Sequence, residues 1–510
     1  MNTQDLPHRQ TYAEWSNRII FLSLLGIAYL TFFPFRFDFA PTLIFHRYPF
    51  LLASSVKRPE YLDFFLNVLL FVPLGFGLAA LARKRGKSRW VSFLVALAVG
   101  AGVSYAVEVL QFYIPERDSG WMDVGSNSTG SVVGFFLFEI CGGALLEELS
   151  RWEDSFAVWL SPRRAALLLL VYFAACFGVS ARLQGKTRLS NWDPRCFLFV
   201  GNDASGRIPW SGQVFLLQIW NRALPEEAIR RLAARGPAGD ASAGLLASYD
   251  FTSSPPYEDK TNFLPSLGWT PRQPQFTNAG AIPLDGQFWL HTKTPVENLT
   301  REIGKSSQFT IHLVCAPAEP ENARIVSLSR SAASVNFNLR QEGSTLVFWF
   351  LNPLSETRSN LAWYARGAFE AGKTRDIVAS YDGADAFLYL DGNRVPQTYR
   401  LGPGASLMHR FNFIQTDDLE ASAIVYYTLV FLPAGLLIGV EAREWSQQKI
   451  SDRWILAIGW ALPAVLLEVF LAGMSGRRIW PVNIVLSLVF GLVGMLLINA
   501  DRRFKKLPAA

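Results

Sequence analysis

Eight apolar runs constrain this chain more than any other feature. They cover about residues 19–35, 61–82, 90–111, 123–146, 164–180, 422–441, 454–472 and 481–499. At about 1.5 Å of rise per residue, each reaches across a hydrocarbon core of about 30 Å. A backbone in that medium must satisfy its own N–H and C=O groups, so each run is predicted as an α-helix. Only 18% of the 510 residues are charged, against roughly a quarter in soluble domains. Disorder, collagen-like repeats and a small secreted scaffold are excluded. The expected fold is a polytopic α-helical membrane bundle of about eight helices, interrupted by one long polar insert.

Orientation follows from the basic clusters. The net charge of +6 is gathered at RKRGKSR (83–89), at Arg163 and Arg164, from Arg443 to Arg453, and at DRRFKK (501–506). Lys and Arg beside apolar runs favour the cytoplasm, and eight spans with both termini inside satisfy all four clusters. Loops 36–60, 112–122 and 473–480 then lie outside, with the whole stretch 181–420. Arg477 and Arg478 are the contrary signal, since they fall in an outer loop. The first run ends in FFPF with no small-residue cleavage site, and so reads as a retained signal anchor. Charge placed this way is a topology signal, and no nucleic-acid partner is expected. Four cysteines without CxxC spacing and five scattered histidines leave no zinc motif.

Shifting the sequence on itself by 360 residues pairs 61–140 with 421–500. Phe71, Pro73 and Gly75 meet Phe431, Pro433 and Gly435; Arg83 meets Arg443, Glu108 meets Glu468, Arg117 meets Arg477, and Gly134 meets Gly494. The copies run in the same direction, which predicts parallel repeats, with spans one to four answering to spans five to eight. The second copy has lost polar groups: Asp63 faces Ala423, Asn67 faces Tyr427, Gln111 faces Leu471, Asp123 faces Asn483, and Asn127 faces Ser487.

Chemistry or recognition is therefore expected in the first copy. Asp63 and Asn67 share a helix face, Glu108 and Gln111 close the third span, Arg117 stands in a short outer loop, and Asp123 with Asn127 opens the fourth. These groups are predicted to converge at the outer leaflet. Ser126, Gly130 and Gly134 form a small-residue ridge that lets a neighbouring helix approach. Carboxylates there are costly unless paired. The cluster reads either as structural glue or as a pocket for a polar headgroup or an envelope precursor. No G-x-S-x-G elbow, Gly-rich phosphate loop or HExxH is present, so no catalytic residue is assigned and binding is read ahead of catalysis.

The order Asp63-x3-Asn67, PLG at 73–75, Glu108-x2-Gln111, Arg117, Asp123-x3-Asn127 and Gly130-x3-Gly134 resembles the VanZ-like membrane family, named for an accessory protein of glycopeptide resistance. The resemblance covers about residues 17–146 and, weakly, 421–500. It implies a bacterial envelope protein and a link to glycopeptide-antibiotic resistance.

Residues 147–180 read as a cytoplasmic linker with the fifth span, and 501–510 as a basic cytoplasmic tail. Between 181 and 420 the period changes to alternation. Phe309, Ile311, Leu313 and Cys315 form one such strand, and Val335, Phe337 and Leu339 another. QEGS, YDG and LDGN mark hairpins. An antiparallel all-β sandwich is expected. LLASYDF, IVASYDG, FLYLDGNRV and WSGQVFLLQIWNRALPEEAIRRL resemble the concanavalin A-like (LamG) jelly roll, in an order that looks circularly permuted. Such a resemblance implies carbohydrate binding, with Trp192, Trp210, Trp269, Trp289 and Trp363 as candidate sugar platforms. Asp203, Asp382 and Asp391 read first as turn residues, calcium ligation being the one metal role open to them. No other cofactor is expected. Cys196 and Cys315 share an oxidising side and could pair. Expected partners are membrane lipids and an envelope glycan or cell-wall component; a protein partner stays open. The rival reading is an enzyme or transporter acting on a lipid-linked precursor at the membrane cluster.

Overall fold

The computed structural model of the protein describes residues 5–32, 37, 39, 61–114, 120–160, 162–235, 242–252, 255–271, 282–355, 362–396, 399–410, 419–445 and 450–499. Five long helices come first: α1 (Asp5–Phe32), α2 (Tyr61–Lys84), α3 (Arg89–Gln111), α4 (Trp121–Trp159) and α5 (Pro162–Gly185). The β-rich stretch follows, in the order β1 (Phe197–Val200), β2 (Ser211–Trp220), α6 (Glu226–Arg235), β3 (Leu245–Asp250), β4 (Leu267–Thr270), β5 (Ile282–Asp285), β6 (Trp289–Thr292) and α7 (Glu297–Ser306). It continues with β7 (Phe309–Pro317), β8 (Glu321–Ser331), β9 (Ser334–Gly343), β10 (Thr345–Phe350), β11 (Ala362–Ala365), β12 (Arg375–Tyr381), β13 (Asp385–Leu390), β14 (Asn393–Arg394) and β15 (Tyr399–Arg400). The chain closes with α8 (Pro403–Arg410), α9 (Leu419–Trp445), α10 (Ile450–Ser475) and α11 (Pro481–Asn499).

Among the described residues, six helical segments are long and apolar enough to cross a membrane: Trp15–Phe32, Asp63–Lys84, Arg89–Gln111, Trp121–Trp152, Arg163–Gly185 and Ser422–Val440. Gly459–Ser475 and Pro481–Leu497 are apolar but shorter; they coincide with the seventh and eighth expected spans. Large apolar side chains such as Phe65, Leu94, Ile140 and Leu170 are exposed on these helices, an arrangement that suits a hydrocarbon surrounding.

The chain folds as two compact units. One comprises 1–170, 432–456 and 491–510; the other comprises 171–431 and 457–490. In the first unit, Phe71, Leu74, Leu78 and Val107 pack with Ile27, while Phe76, Ala79, Ala96, Phe135 and Phe138 form a second cluster. The repeat is written into this unit's close contacts. A Cβ on Gly75 would lie 1.9 Å from the Ser131 carbonyl oxygen, and one on Gly435 2.1 Å from that of Gly491. A Cβ on Gly134 would lie 2.1 Å from the Val72 oxygen, and one on Gly494 2.5 Å from that of Leu432. Every one of these partners is displaced by the same 360 residues, so the two copies pack their helices through one shared register.

The second unit holds an all-β sandwich. One seven-stranded sheet runs β11-β10-β9-β8-β1-β6-β4, and the other runs β14-β13-β12-β7-β2-β3, with β15 on β13 and β5 on β2. Strand pairs are antiparallel throughout. Phe309, Phe337, Phe348, Phe350, Trp363 and Tyr381 fill the space between the sheets, with Phe350 and Tyr381 ring centroids 4.6 Å apart. Asp391 and Gly392 both take left-handed dihedrals at the β13–β14 turn, as an Asp-Gly hairpin requires.

β7 departs from simple alternation, because its outward residues Thr310 and His312 are buried as fully as its inward ones. Helix α6 lies across that face, packing Leu224, Ala228, Ile229 and Leu232 on Trp220, Val378 and Tyr389. Thr310 accepts from the Leu224 N–H, and His312 sits between Gln218 and Asp376. The Cys196–Cys315 pairing is corrected: both thiols are free and buried, Cys315 in β7 and Cys196 before β1, in different sheets.

Substituting Gly75→Val should lower the thermal midpoint of the detergent-solubilised protein, since overpacking costs about 1–3 kcal/mol. Gly102→Val, where nothing lies within 4 Å, should leave it unchanged. Equal losses in the two variants would contradict the close-packed register.

Candidate functional site

The second copy contains a closed carboxylate cage. Glu468 comes from α10, only 1% exposed, and Arg477 from the following turn meets it twice: Nη1 to Oε1 at 2.5 Å and Nη2 to Oε2 at 3.1 Å. The Trp480 backbone N–H donates to Oε1 at 2.7 Å, Asn483 Nδ2 to Oε2 at 3.0 Å, and the Tyr427 hydroxyl to Oε2 at 3.4 Å. The Arg477 guanidinium also lies 3.8 Å from the Trp480 ring centroid. A buried charge persists only with such compensation. Arg477, which ran against the basic-loop rule, is in this loop to neutralise Glu468.

This cage continues into the sandwich, within the same compact unit. The Trp480 indole N–H donates to Asp385 Oδ2 at 3.0 Å, and Gln308 Nε2 donates to the carbonyls of Asp382 and Gly476. Gly383 approaches Ser475 so closely that a Cβ would lie 2.2 Å from its carbonyl oxygen. From the turn after α5, Thr187 donates to the Gly383 carbonyl and accepts through its own carbonyl from Tyr381. The β12–β13 turn is thereby seated on the α10–α11 turn and on the turn after α5.

In the first copy the equivalent carboxylate meets one donor among the described residues, which do not include Arg117, the counterpart of Arg477. Glu108, 2% exposed, accepts the Gly120 N–H at 2.9 Å, the counterpart by 360 residues of the Trp480 contact. Other groups pair separately. Asn67 donates to Asp123 at 2.8 Å, Asn127 to Ser104 Oγ at 2.9 Å, and Gln111 to the Thr31 carbonyl at 2.9 Å. Asn127 Oδ1 is buried with no partner among the described residues. Asp63 is exposed on the first turn of α2, and Arg117 lies outside the described residues. Ser126 is buried, and a Cβ on Gly130 would lie 2.2 Å from the Val68 oxygen. Ser104 and Thr31 were missed from sequence. Ser104 stands one helical turn before Glu108, a spacing that could have signalled it.

Three tryptophans leave the sugar-platform set. Trp192, Trp210 and Trp363 are core residues, Trp192 donating to the Leu351 carbonyl and Trp210 to Gln341, and a ring packed inside cannot stack on a sugar. Trp269 stands opposite buried Leu290 and packs edge-on against Tyr257. Trp289, on the opposite side of the ladder from Trp269, is half-buried. Asp203 caps a turn through Ser205 and faces Arg324, Asp382 accepts from the N–H groups of Ala384 and Asp385, and Asp391 pairs with Arg375. Among the described residues no three His, Cys, Asp or Glu side chains converge as metal ligands.

The outward face of the seven-stranded sheet carries a set that sequence reasoning did not single out. Strand register aligns Trp349, Asn338, Ser327, Phe199 and His291 in one transverse row. Beside it runs a second row of Tyr364, Val347, Arg340 and Arg324. Leu339, Phe337 and Phe348, which alternate with these residues, point into the core. Trp349 and Arg340 are half-buried, and their Trp349 Nε1 and Arg340 Nε atoms have no hydrogen-bond partner among the described residues. Arg324 donates to Asn338 Oδ1, and Arg340 pairs with Glu342 at 2.8 Å. Burial and the neighbouring Arg340 charge lower the Arg324 pKa.

Residues 20–142 match the VanZ/LLP1 family model. No curated protein and no solved structure gives a match to the chain. The family match, together with the apolar helices, supports a multi-pass, envelope-associated membrane protein.

Breaking the cage should be severe, because leaving one partner of a buried ion pair alone costs about 3–5 kcal/mol. Arg477→Ala is expected to lower the thermal midpoint strongly, with partial recovery in Arg477→Met combined with Glu468→Gln; no recovery would argue against an uncompensated charge. Asp385 gives a pH signature. Burial first, and then Asp382 beside it, push its pKa from the ordinary 3.8 up to about 7, against the pull of Arg400 and the Trp480 N–H. The folded state thus keeps a proton that the unfolded chain has released, so stability declines as pH rises from about 4 to about 7 and levels off above. Asp385→Asn should abolish that decline, and parallel profiles for the two proteins would refute it.

Proposed function

We propose that this chain is a bacterial envelope membrane protein whose β-sandwich lies outside the cytoplasmic membrane and binds a glycan or cell-wall component on the outward face of its seven-stranded sheet. The observation that carries this reading is the pair of half-buried outward residues Trp349 and Arg340, on adjacent strands β10 and β9, Asn338, Ser327 and Phe199 of the same row being buried. The exposed part of an indole offers a sugar an apolar face, while a guanidinium meets its hydroxyls. The lectin-like sequence resemblance points the same way, although the platform moves from the core tryptophans to Trp349.

A second reading is favoured by one observation in the helices. Buried Asn127 Oδ1 has no hydrogen-bond partner among the described residues, while its Nδ2 donates to Ser104, one helical turn before Glu108. That arrangement supports a site for the polar headgroup of a lipid-linked envelope precursor, through which the family's link to glycopeptide resistance would act.

The test uses the full chain in nanodiscs, screened against peptidoglycan fragments and bacterial polysaccharides with and without calcium. Saturable binding is expected, weakened at least tenfold by Trp349→Ala and by Arg340→Ala while thermal stability is retained. Folded protein that binds none of them would sink the lectin reading. If Glu108→Gln then alters teicoplanin susceptibility in a folded variant, the second reading takes its place.

A further inference from the structure

The second copy holds a cavity of about 220 Å³ at the start of α9 and α11, lined by Arg400, Ala423, Ile424, Tyr427, Val482 and Leu486 among others, all within one compact unit. Its position is not arbitrary. By the 360-residue register, Ala423, Tyr427 and Leu486 stand where the first copy has Asp63, Asn67 and Ser126. At these three positions the first copy is the more polar, although Ser422 and Asn483 also line the cavity. The polar side chains that remain are committed elsewhere, since the Tyr427 hydroxyl and Asn483 amide both donate to Glu468. What faces the cavity is mainly hydrocarbon and ring.

One cation stands at its edge. Arg400, from β15, has a side chain 41% exposed, with its guanidinium 5.4 Å from the Trp480 ring centroid. Its buried Nε forms a long ion pair with Asp385 Oδ1 at 3.8 Å, too far for a hydrogen bond, and has no hydrogen-bond partner among the described residues, which leaves the outer part of the 41% exposed side chain to face a ligand. A guanidinium with donors to spare suits a phosphate, and an apolar hollow between the ends of two apolar helices suits an acyl chain. At 220 Å³ the cavity is smaller than the about 300–1,000 Å³ of drug-sized pockets, so it takes a segment of one chain and not a whole lipid.

We propose that this cavity and Arg400 form a binding site for one anionic phospholipid, its acyl chain entering between α9 and α11 and its phosphate meeting Arg400. The site is separate from the glycan face and from the Glu108 cluster.

The experiment uses the full-length protein in detergent, with phosphatidylglycerol, phosphatidylcholine and inorganic phosphate as probes, read by native mass spectrometry and thermal shift. Wild type is expected to retain one phosphatidylglycerol and to be stabilised by it, with at least tenfold weaker retention of phosphatidylcholine and no response to phosphate. Arg400→Gln should remove the preference between the two lipids. Ala423→Phe, which fills the cavity, should abolish retention of both, and Leu486→Phe provides a second filled cavity should the first variant fail to fold. Equal retention of the two lipids by wild type, stabilisation by phosphate alone, or undiminished retention in a folded filled-cavity variant would each overturn the proposal.

Discussion

A carboxylate removed from water must be surrounded by donors, and that requirement organises the second copy of this protein. Glu468 of α10 takes a bidentate arginine, a backbone N–H, an amide and a phenol, and the residues that supply them come from α9, α11 and the turn between α10 and α11. Because satisfaction depends on all of them together, the cage fixes the spacing of three helix ends. Trp480 then extends the arrangement by donating its indole N–H to Asp385. A charge that would be a liability in isolation becomes the point at which a helical repeat and a β-sandwich are joined.

The first copy keeps the same scaffold around Glu108. The register of close glycine contacts is the same in both copies, as is the backbone N–H that meets each glutamate. The scaffold has been kept while the groups lining it have diverged. Asn67 and Asp123 pair with one another in the first copy, whereas Tyr427 and Asn483 both turn to Glu468 in the second. In the first copy Asn127 Oδ1 is buried without a hydrogen-bond partner among the described residues.

Much of the architecture was legible in the sequence, because hydrophobic length and period report directly on burial. The positions of the apolar helices, the strands at Phe309 and Phe337 and the Asp391-Gly392 turn all follow from it, and the repeat was visible through a handful of unusual residues such as Glu108 and Glu468. The sites were less legible. Trp210 and Trp363 looked like candidate platforms because sequence shows an aromatic without its direction, and only strand register separates them from Trp349. Arg477 looked misplaced because a loop charge was weighed against topology alone, with its buried partner nine residues back unseen.

The difference at a single repeat position connects these points. Gly120 and Trp480 occupy equivalent places, and both offer a backbone N–H to the buried glutamate, so that contact does not require a particular side chain. What tryptophan adds is an indole that reaches Asp385 and a ring that lies under Arg477 and near Arg400. Each of these interactions serves the sandwich or the cage, and glycine can make none of them. Where the repeat carries the sandwich it has a tryptophan; in the copy built around Glu108 the position is glycine, and the carboxylate is left with the backbone contact alone among the described residues. Trp480 therefore serves two neighbours at once, its backbone N–H meeting the buried glutamate as Gly120 does and its indole reaching Asp385 of the sandwich.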